Sequence, residues 1–333
     1  MGKPIRIAIN GFGRIGRVIA RLIFERDDME LVATNDLKIT EPEYWAYLMK
    51  YDSVYGKFNG TLDVANDGVI VNGKKVLVFG NPDPTQCPWG ELGIDILIES
   101  TGVFKTIEKA GKHLQGGAKK VIITAPSEDA PMYIVGVNEK SYKGETVVSN
   151  ASCTTNCLAP LAKVIHNKFG IETGFMTTIH AMTGTQTTVD MASSKDWRAG
   201  RAASYNSIPA STGAAKAVGK VLPELNGKLT GMSFRIPVLD GSVVDLVCNL
   251  KKPTTLEEIH AEVKRASENE MKMSIDYTDE QIVSSDIIGY TTCTYDSKAC
   301  MQLSPTFFKL IAWYDNERGY SRKVLELAQY ISK

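Results

Sequence analysis

The side chains best suited to covalent chemistry lie in Ser149-Asn150-Ala151-Ser152-Cys153-Thr154-Thr155-Asn156-Cys157. A short apolar run, Thr146-Val147-Val148, precedes them and reads as a strand end. Leu158, Leu161, Ala162 and Ile165 then recur at helical spacing, and Gly170 supplies a stop. Small polar residues before such a run are N-cap candidates, which places Cys153 at or beside a helix N-terminus. Unpaired backbone N–H groups and the helix dipole there favour the thiolate, the form that attacks carbonyl carbon. The competing reading is a small buried apolar residue, the commoner fate of a free cysteine. Cys157, one turn on, could make a metal or redox pair with Cys153. No histidine cluster or C-x-x-C spacing supports that, and Cys157 is expected in the core.

A nucleophilic thiol needs a base, and the chain has 4 histidines. His166 lies on the same helix as Cys153, about three and a half turns along, too far to reach back. His113 reads as part of a basic surface helix, and His260 as part of a charged amphipathic one. His180 ends the β-like run Phe175-Met176-Thr177-Thr178-Ile179 and opens a polar loop. By elimination His180 is the expected partner of Cys153.

The elements that position such a pair begin at the N-terminus. Ile5, Ile7, Ala8 and Ile9 form a short strand, and Gly11-Phe12-Gly13-Arg14-Ile15-Gly16 leads from it into the helical run Val18, Ile19, Leu22, Ile23. This is G-x-G-x-x-G between strand and helix. Gly11 serves the tight turn, Gly13 the approach of backbone to a pyrophosphate, and Gly16 the close packing of helix on strand. A second strand, Leu31 to Thr34, ends at Asn35-Asp36, where a carboxylate for a ribose hydroxyl is expected. Such a carboxylate repels a 2′-phosphate, so NAD is favoured over NADP. Residues 40–55 read as a helix with Trp45, Tyr47 and Leu48 in the core. Residues 58–80 read as an antiparallel excursion with turns at Asn66-Asp67-Gly68 and Asn72-Gly73. Strands Ile94 to Glu99 and Val121 to Thr124 follow, and Thr101 and Gly102, just past a strand carboxyl end, are expected at the cofactor.

Residues 181–212 read as a long polar loop carrying Thr183, Arg198 and Arg201, and Ser211-Thr212-Gly213 opens a helix, a possible anion site. Arg235, within Ser233-Phe234-Arg235-Ile236-Pro237, reads either as a snorkelling edge residue or as a phosphate ligand. The fold class expected is α/β. A doubly wound nucleotide domain (1–150, with a C-terminal helix 317–333 packing back on it) joins an α+β domain (151–316) with a largely antiparallel sheet.

Composition sets the outer bounds. The chain has 333 residues, 43% of them hydrophobic, with Lys+Arg and Asp+Glu both 38. No global field favours nucleic acid or membrane. The 6 cysteines are too sparse for a disulfide scaffold, and neither a signal peptide nor a spanning segment is read. A cytoplasmic protein without a metal is expected.

From end to end the chain resembles the phosphorylating glyceraldehyde-3-phosphate dehydrogenases of glycolysis. The matching stretches are Asn10 to Arg17, Ala151 to Cys157, Ser211 to Lys216 and Trp313-Tyr314-Asp315-Asn316-Glu317. The resemblance implies a Rossmann domain, NAD, a homotetramer, and glyceraldehyde 3-phosphate and inorganic phosphate as substrates. It implies Cys153 as nucleophile and His180 as base. Phe12, Gly13, Arg14, Ile15, Asp36, Thr101, Thr124, Asn316 and Tyr320 would bind the cofactor. Thr183 and Arg235 would hold the substrate phosphate, and Ser152, Thr154, Thr212 and Gly213 the attacking phosphate, with Arg198 in the same anion-binding set. Two departures stand out: Ala192 where many NAD-specific members carry proline, and Arg318 where a bulky apolar residue is usual. The alternatives are an erythrose-4-phosphate dehydrogenase or, outside enzymes, a nucleotide- or RNA-binding protein.

Overall fold

A computed structural model describes residues 2–194, 196–289 and 292–333. The chain divides into two compact units. One comprises Met1–Tyr133, Lys140–Ala151 and Ser321–Lys333; the other comprises Ile134–Glu139 and Ser152–Tyr320.

The first unit is built on eight strands: β1 (Ile5–Asn10), β2 (Met29–Asn35), β3 (Leu62–Ala65), β4 (Gly68–Val71), β5 (Lys74–Phe79), β6 (Ile96–Glu99), β7 (Lys120–Ile123) and β8 (Val147–Ser149). They form one sheet in the order β3-β4-β5-β2-β1-β6-β7-β8. From β5 to β8 all neighbours are parallel, while β3, β4 and β5 pair antiparallel as the two turn signals predict. The parallel order is that of a Rossmann sheet, with its topological switch between β1 and β6. Ile7, Ala8, Ile9, Ile96, Leu97 and Ile98 are all buried, because helices cover both faces of a parallel sheet.

Its helices are α1 (Arg14–Ile23), α2 (Pro42–Lys50), α3 (Ile107–Ala110) and α4 (Lys112–Gln115). Two expectations fail here. Trp45 is buried and stacks on Phe12, but Tyr47 faces solvent, 57% exposed. The reason is helix period: Trp45, Ala46 and Met49 share the inner stripe of α2, and Tyr47 falls opposite. His113 is wholly buried rather than on a surface helix. α4 is a single turn whose lysine faces out while His113 turns in towards Trp89 and Phe104.

The second unit holds β9 (Ile171–Ala181), β10 (Ile208–Ser211), β11 (Leu229–Ile236), β12 (Ser242–Leu250), β13 (Asp276–Thr278), β14 (Thr294–Asp296), β15 (Met301–Ser304) and β16 (Phe307–Tyr314). The sheet order is β10-β11-β9-β12-β16-β14-β13, with β15 also on β16. Most pairs are antiparallel; β9 with β11 and β13 with β14 are parallel. Burial alternates along β12 and β16, so one face carries the core. Helices α5 (Cys153–Phe169), α6 (Ala214–Val221) and α7 (Leu256–Glu268) pack on this sheet. The last helix, α8 (Arg318–Ile331), crosses into the first unit, where Val324, Leu325, Leu327 and Ala328 are buried. The expected long loop 181–212, apart from Lys195, which lies outside the described residues, contains strand β10 and a turn of 3-10 helix at Trp197–Gly200. Its strand was hidden because Ile208-Pro209-Ala210-Ser211 carries a proline and no apolar alternation.

Among the described residues no helix is long and apolar enough to cross a membrane. None of their His, Cys, Asp and Glu side chains gather in a group of three that could hold a metal ion.

Candidate active site

Cys153 is the first residue of α5. Ser152 caps the helix in extended conformation, its hydroxyl accepting from Thr155 N–H, a cap worth about 1 kcal/mol. Ala151, just before it, has φ +55, a left-handed conformation that turns the chain sharply from β8 into the helix. The Cys153 side chain meets His180, with Sγ 3.3 Å from Nε2. His180 lies inside β9, which runs one residue further, to Ala181, before any loop begins.

Strand register explains the company His180 keeps. Arg235 on β11 is its direct partner, and Ser242 on β12 is the partner of Tyr314 on β16. Val243 opposite Ile179 puts Ser242 and His180 at the same level. Tyr314, Ser242, His180 and Arg235 thus form a row across four strands, on the face that α5 covers. Sequence reading missed Ser242 and Tyr314. Their signal was present in the alternation of Ser242, Val244, Leu246 and of Leu310, Ala312, Tyr314, but the cross-strand register was not.

Both missed residues hold others in place. The Tyr314 hydroxyl lies 2.8 Å from Thr154 Oγ1 and 2.7 Å from Thr178 Oγ1. Ser242 Oγ accepts from Ala181 N–H at 3.0 Å and donates its one hydroxyl proton to Asn316 Oδ1 at 2.6 Å. With Oδ1 accepting there, Nδ2 is the Asn316 group that remains a donor.

Two contacts compete for His180 Nδ1. Ala181 O, at 2.7 Å, requires a proton on Nδ1, whereas Arg235 Nη1, at 2.6 Å, offers its own N–H. Only one can be a hydrogen bond at a time. With Nδ1–H donated to Ala181, Nε2 turns a lone pair to the sulfur and can take the thiol proton. With Arg235 as donor, Nε2 carries the proton instead.

The charge states differ from the expectation of a resting thiolate. Burial raises the thiol above its usual range, against the opposing pull of the Arg235 guanidinium. Burial first, then Arg235, pushes His180 down to about 3. Both shifts run towards the uncharged forms, because desolvation opposes the pull of the helix terminus on the thiol. His180 is therefore poised as an empty base rather than as the imidazolium of an ion pair.

The other anion-binding candidates are spread out. Thr183 donates its N–H to Gln186, and its hydroxyl is 3.0 Å from Thr185. The Thr154 hydroxyl is occupied by Tyr314, so its backbone N–H, in the first turn of α5, is what it offers an anion. Thr212 Oγ1 accepts from Ala214 N–H, and Gly213 caps α6. Arg198 is exposed and lines an 850 Å³ cavity with Trp197, Ser211 and Met232, a lining that does not include Cys153 or His180. Thus Cys153, His180 and Arg235 are brought together, and Thr212, Gly213 and Arg198 are not bonded to them.

In the first unit the glycine loop is a cradle. Gly11 has φ +92, and a methyl group there would lie 2.7 Å from Thr101 N. On Gly16 it would lie 2.1 Å from Gly11 O, whereas on Gly13 it would meet nothing within 4 Å. The open space beside Gly13 adjoins the first turn of α1, which has no side-chain cap. A pyrophosphate fits that donor set. Asp36 accepts from Phe12 N–H at 2.7 Å and from Lys38 N–H at 2.8 Å, which aims its carboxylate. The Phe12 ring is buried against Trp45, its N–H is taken by Asp36 and its carbonyl accepts from Arg17 Nη1 at 3.2 Å. Arg14 pairs with Asp52 and lies over Tyr55, while Ile15 is partly buried beside it. Thr101 and Thr124 both bond to Glu99, and Tyr320 is buried in α8.

Comparison with known proteins matches both parts of the chain to one family. Residues 5–107 match the family model "Glyceraldehyde 3-phosphate dehydrogenase, NAD binding domain", and residues 152–316 match the corresponding C-terminal domain. Glyceraldehyde-3-phosphate dehydrogenase 3 of Kluyveromyces marxianus is 60% identical over 332 residues, 99% of each chain. The Podospora anserina enzyme is 57% identical over 331 residues, covering 99% of this chain and 98% of its own. The cytosolic enzyme of Chlamydomonas reinhardtii is 59% identical over 336 residues, covering 100% of this chain and 98% of its own. With both domains matched and nearly the full length aligned, the chain belongs to the glyceraldehyde-3-phosphate dehydrogenase family.

Proposed function

We propose that this chain oxidises D-glyceraldehyde 3-phosphate with NAD and inorganic phosphate, giving 1,3-bisphosphoglycerate and NADH. The observation that carries the chemistry is the 3.3 Å approach of Cys153 Sγ to His180 Nε2 at the start of α5. The names of the relatives supply the aldehyde, and the matched NAD-binding domain supplies the cofactor.

The steps follow from the site. His180 Nε2 takes the thiol proton as sulfur attacks the aldehyde carbon and passes it to the aldehyde oxygen, so a thiohemiacetal forms on Cys153 and His180 is left unprotonated. When bound, NAD supplies the hydride acceptor, C4 of its nicotinamide. His180 takes the hydroxyl proton as the carbonyl re-forms, leaving an acyl thioester on Cys153. A phosphate oxygen then attacks that carbonyl, the C–S bond breaks, and the sulfur regains its proton. Oxidation energy is kept in the thioester rather than lost to hydrolysis.

Arg235 and Thr183 hold the substrate phosphate in this reading. A phosphate on Arg235 would draw the guanidinium from Nδ1 and leave that nitrogen to Ala181, the tautomer in which Nε2 is a base. Ser152, Thr154, Thr212 and Gly213 serve the attacking phosphate, and Arg198 adds positive charge. The loop of Phe12, Gly13, Arg14 and Ile15 receives the pyrophosphate end. Asp36 receives the ribose, Thr101 and Thr124 line the strand ends, and Asn316 and Tyr320 serve the nicotinamide.

A homotetramer is the proposed assembly, and exposed Phe175, Trp197, Tyr205 and Leu303 are apolar surface that an oligomer would cover. A cytoplasmic location is supported by the cytosolic relative. The relatives' names lend nothing to erythrose 4-phosphate or to RNA binding as the main role.

Phosphate dependence tests the reaction. NADH formation from glyceraldehyde 3-phosphate should require inorganic phosphate for steady turnover. Equal steady rates without phosphate would mean hydrolysis to free acid and would overturn the phosphorylating step. Asp36→Ala tests the cofactor choice: NAD binding should weaken roughly tenfold and the margin over NADP should narrow, measured by titration with each nucleotide.

A further inference from the structure

Glu99 is a carboxylate 1% exposed, in the nucleotide-binding unit and outside the reaction described above. It ends β6, beside the topological switch of the sheet. Its two oxygens accept from four donors. Oε1 takes the N–H of Thr101 at 2.8 Å and the Thr101 hydroxyl. Oε2 takes Asn10 Nδ2 at 2.6 Å and His113 Nε2 at 3.1 Å. The Glu99 backbone carbonyl accepts both the N–H and the hydroxyl of Thr124, each at 3.0 Å.

His113 is oriented in turn. Trp89 Nε1 lies 3.2 Å from His113 Nδ1. An indole N–H can only donate, so Nδ1 must accept, and the imidazole proton sits on Nε2, aimed at Glu99. On the other side Asn10 Oδ1 accepts from Asn35 Nδ2 at 2.8 Å, and Asn35 Oδ1 accepts from Asn81 N–H at 2.7 Å. Asn35 immediately precedes Asp36. The chain Trp89–His113–Glu99–Asn10–Asn35 therefore ties together the carboxyl ends of β1, β2 and β6, and Glu99 reaches the end of β7 through Thr124. Buried charge is costly, and an apolar core of the same shape would serve stability as well. What the carboxylate adds is fixed position for Thr101, Asn10 and the glycine turn against which Thr101 packs.

We propose that Glu99 is a positioning residue for the dinucleotide, and that His113, locked in one tautomer by Trp89, holds it there. This rests on the NAD reading above. A glutamine at 99 would place an NH2 group against either the Thr101 pair or the Asn10–His113 pair, so a donor would face donors.

The test is calorimetric titration with NAD, alongside the alkylation rate of Cys153, which lies in the other unit. Glu99→Gln should bind NAD roughly tenfold more weakly while Cys153 alkylation stays within about twofold of the unsubstituted rate. Trp89→Phe, a gentler change, should weaken NAD binding less, and His113→Gln, which keeps a donor towards Glu99, should bind better than His113→Leu. Imidazole nitrogen NMR of the unsubstituted protein should show His113 with Nδ1 bare and Nε2 protonated. A folded Glu99→Gln with unchanged NAD affinity, or His113 in the opposite tautomer, would overturn the inference. If Glu99→Gln does not fold, equal NAD affinity in His113→Gln and His113→Leu would overturn it. If the unsubstituted protein itself failed to bind NAD, the cofactor reading would fall first.

Discussion

Cys153→Ser is expected to lower turnover of glyceraldehyde 3-phosphate by at least about 10³-fold while leaving NAD affinity unchanged. The serine hydroxyl is a much weaker nucleophile and a far weaker acid than the thiol. The fold should tolerate the change, because Ser152, not Cys153, caps α5, and because serine has nearly the shape of cysteine. The split matters more than the loss. NAD binding belongs to the glycine cradle and Asp36, whereas the thiol belongs to α5. Steady-state assays and NAD titration on the same preparation measure the two separately. Retained turnover would remove Cys153 from its role.

His180→Asn should cost about 10²- to 10⁴-fold in kcat, the range expected for a lost general base. Its pH behaviour is the sharper readout. In the unsubstituted protein burial pushes the thiol above its usual range and the imidazole down to about 3, both towards the uncharged form. The thiolate fraction then grows with rising pH across the neutral range, and alkylation of Cys153 should climb about tenfold per pH unit without a plateau near pH 6 to 7. A thiolate–imidazolium pair would predict the opposite, a rate already level at neutral pH. His180→Asn should keep the rising alkylation profile but lose turnover. A plateau in the unsubstituted protein would show that bound charges, not burial, set the thiol's state.

The nucleotide-binding half was legible because its signals are local. The glycines of residues 11–16 sit directly between a strand and a helix, Asp36 follows at the next strand end, and the two hairpin turns are marked by Asn-Asp-Gly and Asn-Gly. The helix start at Cys153 is likewise a local signal. His180 and Arg235 could be named but not joined, because they meet through the pairing of β9 with β11, fixed by contacts 55 residues apart. Ser242 and Tyr314 were overlooked for the same reason: each looks like an ordinary inward residue of a strand until the register lines them up with His180.

His113 shows the other limit. Lys109 and Lys112 give its segment the polarity of a surface, yet on single-turn helices a neighbour's charge says little about which way a side chain points. Glu99 was read only as the last residue of a strand, since nothing local announces that four donors converge on it. The helix N-terminus beside Cys153 can be read in sequence, but the desolvation that opposes it cannot.

The central claim is that Cys153 carries the acyl group between oxidation and phosphorolysis. Its most direct test is to mix the protein with NAD and glyceraldehyde 3-phosphate without phosphate, stop the reaction after one turnover, and locate any added mass by peptide mass spectrometry. Close to one NADH should form per active chain, with the phosphoglyceroyl group on the peptide containing Cys153, and added phosphate should discharge it. Continuous NADH formation without phosphate, or an acyl group on any other residue, would contradict it.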